Sequence, residues 1–304
     1  MLSTGIKKEL MFFTRSFKLA GVIIAAIALA VASPLMMKLS AAMIGSLDMI
    51  EEDSQSGFGE GVSIAASLYD FGTNNVYRED MLELDPDDLM SVFNEDNLAP
   101  LGILSSFGDT TGTLLLIIMI VTMYSAGGEL KKRSRIIPQN AGLSTKLYVL
   151  PKFLIYPLAA AILAFVSMLA AGGTTALIFG DVYRVDLGEL ALTALIAAIY
   201  DGFIVTLYFT LGLCTARAGI ATIILYGGSA ILSTLFTAFG ADKFHPFALK
   251  NEAQNILLGE GADMVNIWGS IGVTVLLMLL CYFVTVFVIS AKKVNNRGKE
   301  EIEL

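Results

Sequence analysis

Six separate apolar stretches, each long enough to cross a bilayer, constrain this chain more than any motif in it. They cover residues 19–45, 101–127, 153–179, 190–214, 218–239 and 266–291. A hydrocarbon core of about 30 Å needs about 20 mainly apolar residues in a helix. Backbone in lipid must also satisfy its own hydrogen bonds, so such runs read as helices rather than loops. Composition agrees: 55% of the residues are hydrophobic and 16% charged, too few charges to wrap six such runs in water. The expected fold class is an all-α integral membrane protein with six transmembrane helices.

The first run follows a basic start, as a secretory signal does, and Ala30-Val31-Ala32 resembles a small-residue cleavage site. The preceding stretch is too long and amphipathic for an n-region, and the apolar run continues through Leu35, Met36 and Met37. It is read as an uncleaved first helix.

Positive charge sets the expected orientation. Lys7, Lys8, Arg15 and Lys18 precede the first run, and Lys131, Lys132, Arg133, Arg135, Lys146 and Lys152 separate the second from the third. Arg217 sits in the turn between the fourth and fifth, and Lys292, Lys293, Arg297 and Lys299 follow the sixth. These are 15 of the 20 basic residues, all on one side, which the positive-inside rule makes cytoplasmic. Both termini are expected inside, in the plasma (inner) membrane of a prokaryote. The net charge of −8 is local: residues 45–100 hold 14 acidic side chains and one basic one, Arg78. Acidity of this kind gives no footing to nucleic acid, and none is expected as a partner.

Residues 1–18 read as an amphipathic helix. Leu2, Ile6, Leu10, Phe13 and Phe17 recur at helical spacing opposite the basic side chains. That pattern suits a helix lying in the membrane interface against lipid; the alternative is a cytoplasmic helix packed on a partner. Residues 46–100 form an acidic outer loop or subdomain. Its acidic clusters tempt a calcium reading, but the EF-hand arrangement of ligands around a glycine is missing, and no metal is expected. Residues 128–152 form the densest inner loop, cut by Pro138, Gly142 and Pro151, with Ser144 or Thr145 placed to cap a helix entering the third run. A purely topogenic loop would explain its charges but not its punctuation. Residues 240–265 lie outside, where Pro246 opens a short interfacial or re-entrant helix with Leu249, Ala253, Ile256 and Leu257 on one face, ended by Gly259 and Gly261. A tail, 292–304, closes the chain inside.

Catalytic signatures are missing. The chain has no G-x-x-x-x-G-K-[ST] phosphate loop, no H-E-x-x-H and no G-x-S-x-G, and it contains a single histidine. Cys214 and Cys281 sit in membrane runs at different expected depths and read as small apolar filler. The chain is not expected to be an enzyme, nor to hold a cofactor. Asp201 is read as the one acidic residue well inside a span, with Tyr200, Thr206, Tyr208 and Thr210 near enough in sequence to offer hydrogen bonds. A charge there marks a function by default. Asp201, Tyr200 and Tyr208 are therefore the expected lining of a cavity or substrate path, although a carboxylate hydrogen-bonded between helices fits as well.

Gly128-Glu129-Leu130-Lys131-Lys132-Arg133, then Ile136-Ile137-Pro138, then Lys146 to Lys152, form a pattern that resembles the ABC-2 family of ABC-transporter permeases. The inner turn from Leu211 to Arg217, the outer His245-Pro246-Phe247 and the amphipathic start are similar to that family too. The resemblance implies a permease subunit that pairs with a second copy or a paralogous permease and sits on separate ATPase subunits. ATP and magnesium would bind in those partners. The resemblance also implies that Glu129, Lys131, Lys132, Arg133, Arg135, Pro138 and Lys146 couple the permease to the ATPase, and that the substrate is exported. A hydrophobic or amphipathic peptide, lipid or drug would suit the apolar spans. Two rivals stay open: a proton-coupled secondary transporter using Asp201, and a membrane sensor or immunity protein with the outer loop as receptor.

Overall fold

Where lipid replaces water, each backbone N–H must find its partner within the same segment, and the chain meets that demand with helices. The computed structural model describes residues 2–15, 17–48, 95–121, 144–180, 186–215, 224–225, 228, 243–258 and 261–300, with no strand among them. In chain order the helices are α1 (Leu2–Arg15), α2 (Phe17–Asp48), α3 (Glu95–Asp109), α4 (Thr145–Phe179), α5 (Leu187–Thr215), α6 (Pro246–Leu258) and α7 (Met264–Glu300). A π-helical turn, Thr110–Leu114, continues α3 to Val121.

Five helices among the described residues are long and apolar enough to span a membrane: Leu19–Leu39, Leu101–Val121, Thr145–Phe179, Leu187–Thr215 and Met264–Ala291. The protein is a multi-pass helical membrane protein. The sixth expected span, 218–239, falls largely outside the described residues, as does most of the acidic segment 46–100. Large apolar side chains such as Ile24, Leu158, Ile162, Leu276, Phe283 and Phe287 stand exposed on the spans. Such a surface belongs against hydrocarbon.

Two helices run further than their apolar stretches predict. α4 begins at Thr145 rather than 153, because the Ser144 hydroxyl accepts the Leu147 amide at 3.3 Å and fixes the first turn. The helix then runs through Pro151, which has no N–H for the Leu147 carbonyl. Gly5 of α1 fits against that proline: a Cβ on Gly5 would lie 3.1 Å from Pro151 Cγ. α7 continues past 291 to Glu300, and its 37 residues make a rod of about 55 Å, well beyond the bilayer core.

α5 is the most enclosed span and α7 the least. α5 runs antiparallel to α4, with Leu190 against Gly172 near one end and Gly202 beside Pro157 and Ala161 further along. Small residues at such crossings let helices approach without a side chain between them. α3 runs antiparallel to α2 and α4, its Gly102 meeting both Pro34 and Phe179. The packed interior divides into two zones. One, toward the α1 end, gathers Val22, Ile118, Tyr148, Tyr156, Phe209 and Ile289. The other, toward α6, gathers Ile103, Phe107, Met168, Ala194, Leu249 and Ile267.

α6 inserts the face read from sequence: Leu249, Ala253, Ile256 and Leu257 are all buried. Its surroundings are polar and locked. Asn266 of α7 donates to Glu252 at 2.7 Å and accepts the Phe244 amide at 2.9 Å, and Glu252 accepts the Asp263 amide at 3.2 Å. Phe244 adopts φ 59°, a left-handed backbone uncommon outside glycine, and its ring occupies the space beside Gly269.

Candidate functional site

Charges inside an apolar bundle are expensive, so their placement locates the working parts of this fold. Asp201 is the most isolated. It sits midway along α5, has no exposed surface, and neither carboxylate oxygen has a hydrogen-bond partner among the described residues. Two of the hydroxyls expected to reach it are committed elsewhere. Thr206 donates to the Gly202 carbonyl at 2.8 Å and Thr210 to the Thr206 carbonyl at 2.9 Å, both back along their own helix. That corrects the expectation that they serve Asp201. Tyr208 lies about 10 Å further along the helix axis, and its ring packs edge-on against Phe209 with centroids 5.7 Å apart.

What faces Asp201 comes from α6. Phe247 meets the Tyr200 ring edge-on, centroids 6.3 Å apart, and Lys250 lies within electrostatic reach of the carboxylate. Burial pushes the Lys250 ammonium below its ordinary range, and the Asp201 charge pushes it back up. Lys250 does not hydrogen-bond to Asp201. Sequence reasoning missed this lysine, although its position beside the buried Leu249 was the available signal.

A second buried charge sits where α1 joins α4. Lys152, with no exposed side-chain surface, donates to Glu9 Oε1 at 2.7 Å, while the Tyr156 hydroxyl donates to Glu9 Oε2 at 2.9 Å. Lys152 was read as one more loop charge; it is an interior residue. Leu10 and Met11 of α1 are exposed, consistent with a helix lying at the lipid interface.

Asp109, half-buried, corrects the reading of Asp201 as the lone acidic residue within a span. It lies inside Leu101–Val121, where the Ser33 hydroxyl donates to it and Thr113 does so weakly at 3.4 Å. Thr110 and Ser167 meet at 3.3 Å on the adjoining turn, so α2, α3 and α4 share a polar layer. This layer coincides with Pro34 and the π-helical turn, two backbone irregularities of the kind that gather at functional places in helices.

Outside the spans, Lys243 pairs with Asp263 at 3.0 Å. The hydrogen bond from Lys243 holds the Asp263 carboxyl below its ordinary range, helped by the Asn266 and Val265 amides that it caps. A carboxyl depressed on folding stabilises at neutral pH and loses that contribution as pH falls through its folded value.

Of the expected coupling residues, Glu129, Lys131, Lys132, Arg133, Arg135 and Pro138 lie outside the described residues. Lys146 is exposed on the first turn of α4. No group of three or more His, Cys, Asp or Glu suited to a metal occurs among the described residues, and Cys214 and Cys281 form no disulfide. Comparison with family models, curated proteins and solved structures finds no match to the chain. The chain is a multi-pass helical membrane protein with buried carboxylates at Glu9, Asp201 and Glu252 and a half-buried one at Asp109 among the described residues; Asp201 alone of these four has no hydrogen-bond partner among the described residues.

Proposed function

We propose that this chain is the transmembrane permease subunit of an ATP-driven transporter, exporting a hydrophobic or amphipathic substrate. In this reading a separate ATPase subunit binds ATP and magnesium and engages residues 128–152. A second permease, identical or paralogous, completes the pathway. One observation carries the reading. The basic segment leads directly into α4, a helix capped at Ser144 and clamped to α1 by the buried Lys152–Glu9 pair. A push on that segment would move a rod of about 52 Å rather than dissipate in a loop.

The test is co-purification with a separate ATPase subunit, followed by ATP-dependent transport in proteoliposomes. Lys131→Glu, Lys132→Glu and Arg133→Glu together should lower complex formation or ATP-dependent transport at least about tenfold, since reversed charges at a docking surface repel the partner. Undiminished assembly and transport in the triple variant would remove the coupling role.

The orientation is tested separately. Ser56→Cys, in a chain with both native cysteines replaced by serine, should react with an impermeant thiol reagent added to intact cells. Labelling only after lysis would reverse the topology.

A second reading, proton-coupled secondary transport, is favoured by Asp201, because a carboxylate without a hydrogen-bond partner inside a span is a natural proton carrier. Uptake by the chain alone, driven by a pH gradient without ATP, would choose it over the first.

A further inference from the structure

We propose that Asp201 receives the cationic group of a lipophilic cation, and that Lys250 stands in for that group until the ligand arrives. This names the substrate class of the proposed permease and so rests on that reading.

The argument begins with what is missing around the carboxylate. Asp201 is fully buried, both its oxygens lack hydrogen-bond partners among the described residues, and Thr206 and Thr210 on its helix donate to backbone carbonyls instead. A buried acceptor left this way costs more than an ordinary hydrogen bond returns, so it calls for an explanation, and a partner that comes and goes supplies one. When ionised, a carboxylate only accepts, and the complement that would hold it in that state is positive.

The surroundings select the kind of cation. Ala197 and Ile204, one turn to either side of Asp201 on the same face of α5, are buried and apolar, and Tyr200 with Phe247 adds aromatic rings. A bare metal ion would want several oxygen ligands, and no cluster of three metal-binding residues occurs among the described residues. A diffuse organic cation suits rings and aliphatic side chains far better. Lys250 completes the case. It belongs to α6, is half-buried, and lies within electrostatic reach of Asp201 without hydrogen-bonding to it. Its stem can turn outward when another cation takes its place, as lysine side chains do at membrane interfaces.

Opposite effects at the two residues follow. The probe is radiolabelled tetraphenylphosphonium, with tetraphenylborate as an anion of matched size, bound to the purified full chain in phosphatidylcholine nanodiscs without ATPase. Saturable binding of the cation but not the anion is expected. Asp201→Asn should weaken cation binding at least about thirtyfold, the loss typical when one partner of a buried charge pair is removed. Lys250→Gln should tighten it about tenfold by removing the competitor.

Equal binding of both ions, or of the cation in wild type and Asp201→Asn, overturns the proposal. If Asp201→Asn does not fold, Lys250→Gln decides alone: unchanged or weaker binding overturns it. Because no ATPase is present, failure of the ATPase complex would leave this result intact. Failure of cation binding would likewise leave complex formation intact.

Discussion

Lys152→Met is expected to destabilise the protein by about 3–5 kcal/mol and to loosen α1 from the bundle, the typical cost of removing one member of a buried ion pair. The ammonium has no exposed surface and donates to Glu9 at 2.7 Å, so its loss leaves a carboxylate inside the fold with, among the described residues, the Tyr156 hydroxyl as its remaining donor. The double change, Glu9→Leu with Lys152→Met, removes both charges and should cost less than Lys152→Met alone. Thermal unfolding of the purified chain checks the order. Looseness is read independently by cross-linking cysteines placed at Gly5 and Pro151, positions that touch in the native protein. A double variant less stable than the single one would show that the contact acts through packing and not through charge. The consequence reaches the proposed function: a stable double variant that assembles with its ATPase but transports poorly would identify the α1 clamp as part of the transmission.

The features read correctly from sequence are those that repeat along a helix. Five apolar runs became spans because burial against lipid needs a sustained stretch, which a window along the chain records. The buried face of α6 was equally plain, since Leu249, Ala253, Ile256 and Leu257 share one side at helical spacing. Ser144 announced its cap by chemistry, a short hydroxyl side chain ahead of a helical run. Pairings between distant helices leave no such trace. Glu9 and Lys152 are 143 positions apart, so no window along the chain brings them together. Asp109 was overlooked because it follows a glycine near the start of its run, among serines and threonines that suggest a helix end. Its partner Ser33 comes from another helix. Thr206 and Thr210 misled for the converse reason. Proximity in sequence suggested that they serve Asp201, whereas a hydroxyl in a membrane helix is satisfied most cheaply by the carbonyl one turn back.

Gly172→Ala should destabilise the protein by about 1–3 kcal/mol, the usual cost of forcing one extra carbon into a packed interior. A Cβ at that position would lie 2.3 Å from Leu190 Cδ2 and 2.8 Å from Cδ1, so rotating the side chain must clear both methyls. Leu190 is itself buried and has little room to turn. Gly173, the next residue, supplies the control: a Cβ there meets nothing within 4 Å. Gly173→Ala should be neutral or stabilise by up to about 1 kcal/mol, because alanine loses less backbone freedom in a helix than glycine. The two glycines differ only in the face that they present, one to α5 and one away from it. Leu190→Ala opens a cavity on its own account, yet combined with Gly172→Ala it should cost less than the sum of the two single losses, since the new methyl fills part of the space vacated. In the proposed reading α4 carries the input and α5 carries Asp201, so the Gly172–Leu190 contact is one of the places where movement of one helix would pass to the other. Gly172→Ala should therefore lower the midpoint of thermal unfolding and slow ATP-driven transport more than Gly173→Ala does. Equal melting temperatures for the two alanine variants would refute the close α4–α5 crossing, and with it the route from the loop to the buried carboxylate.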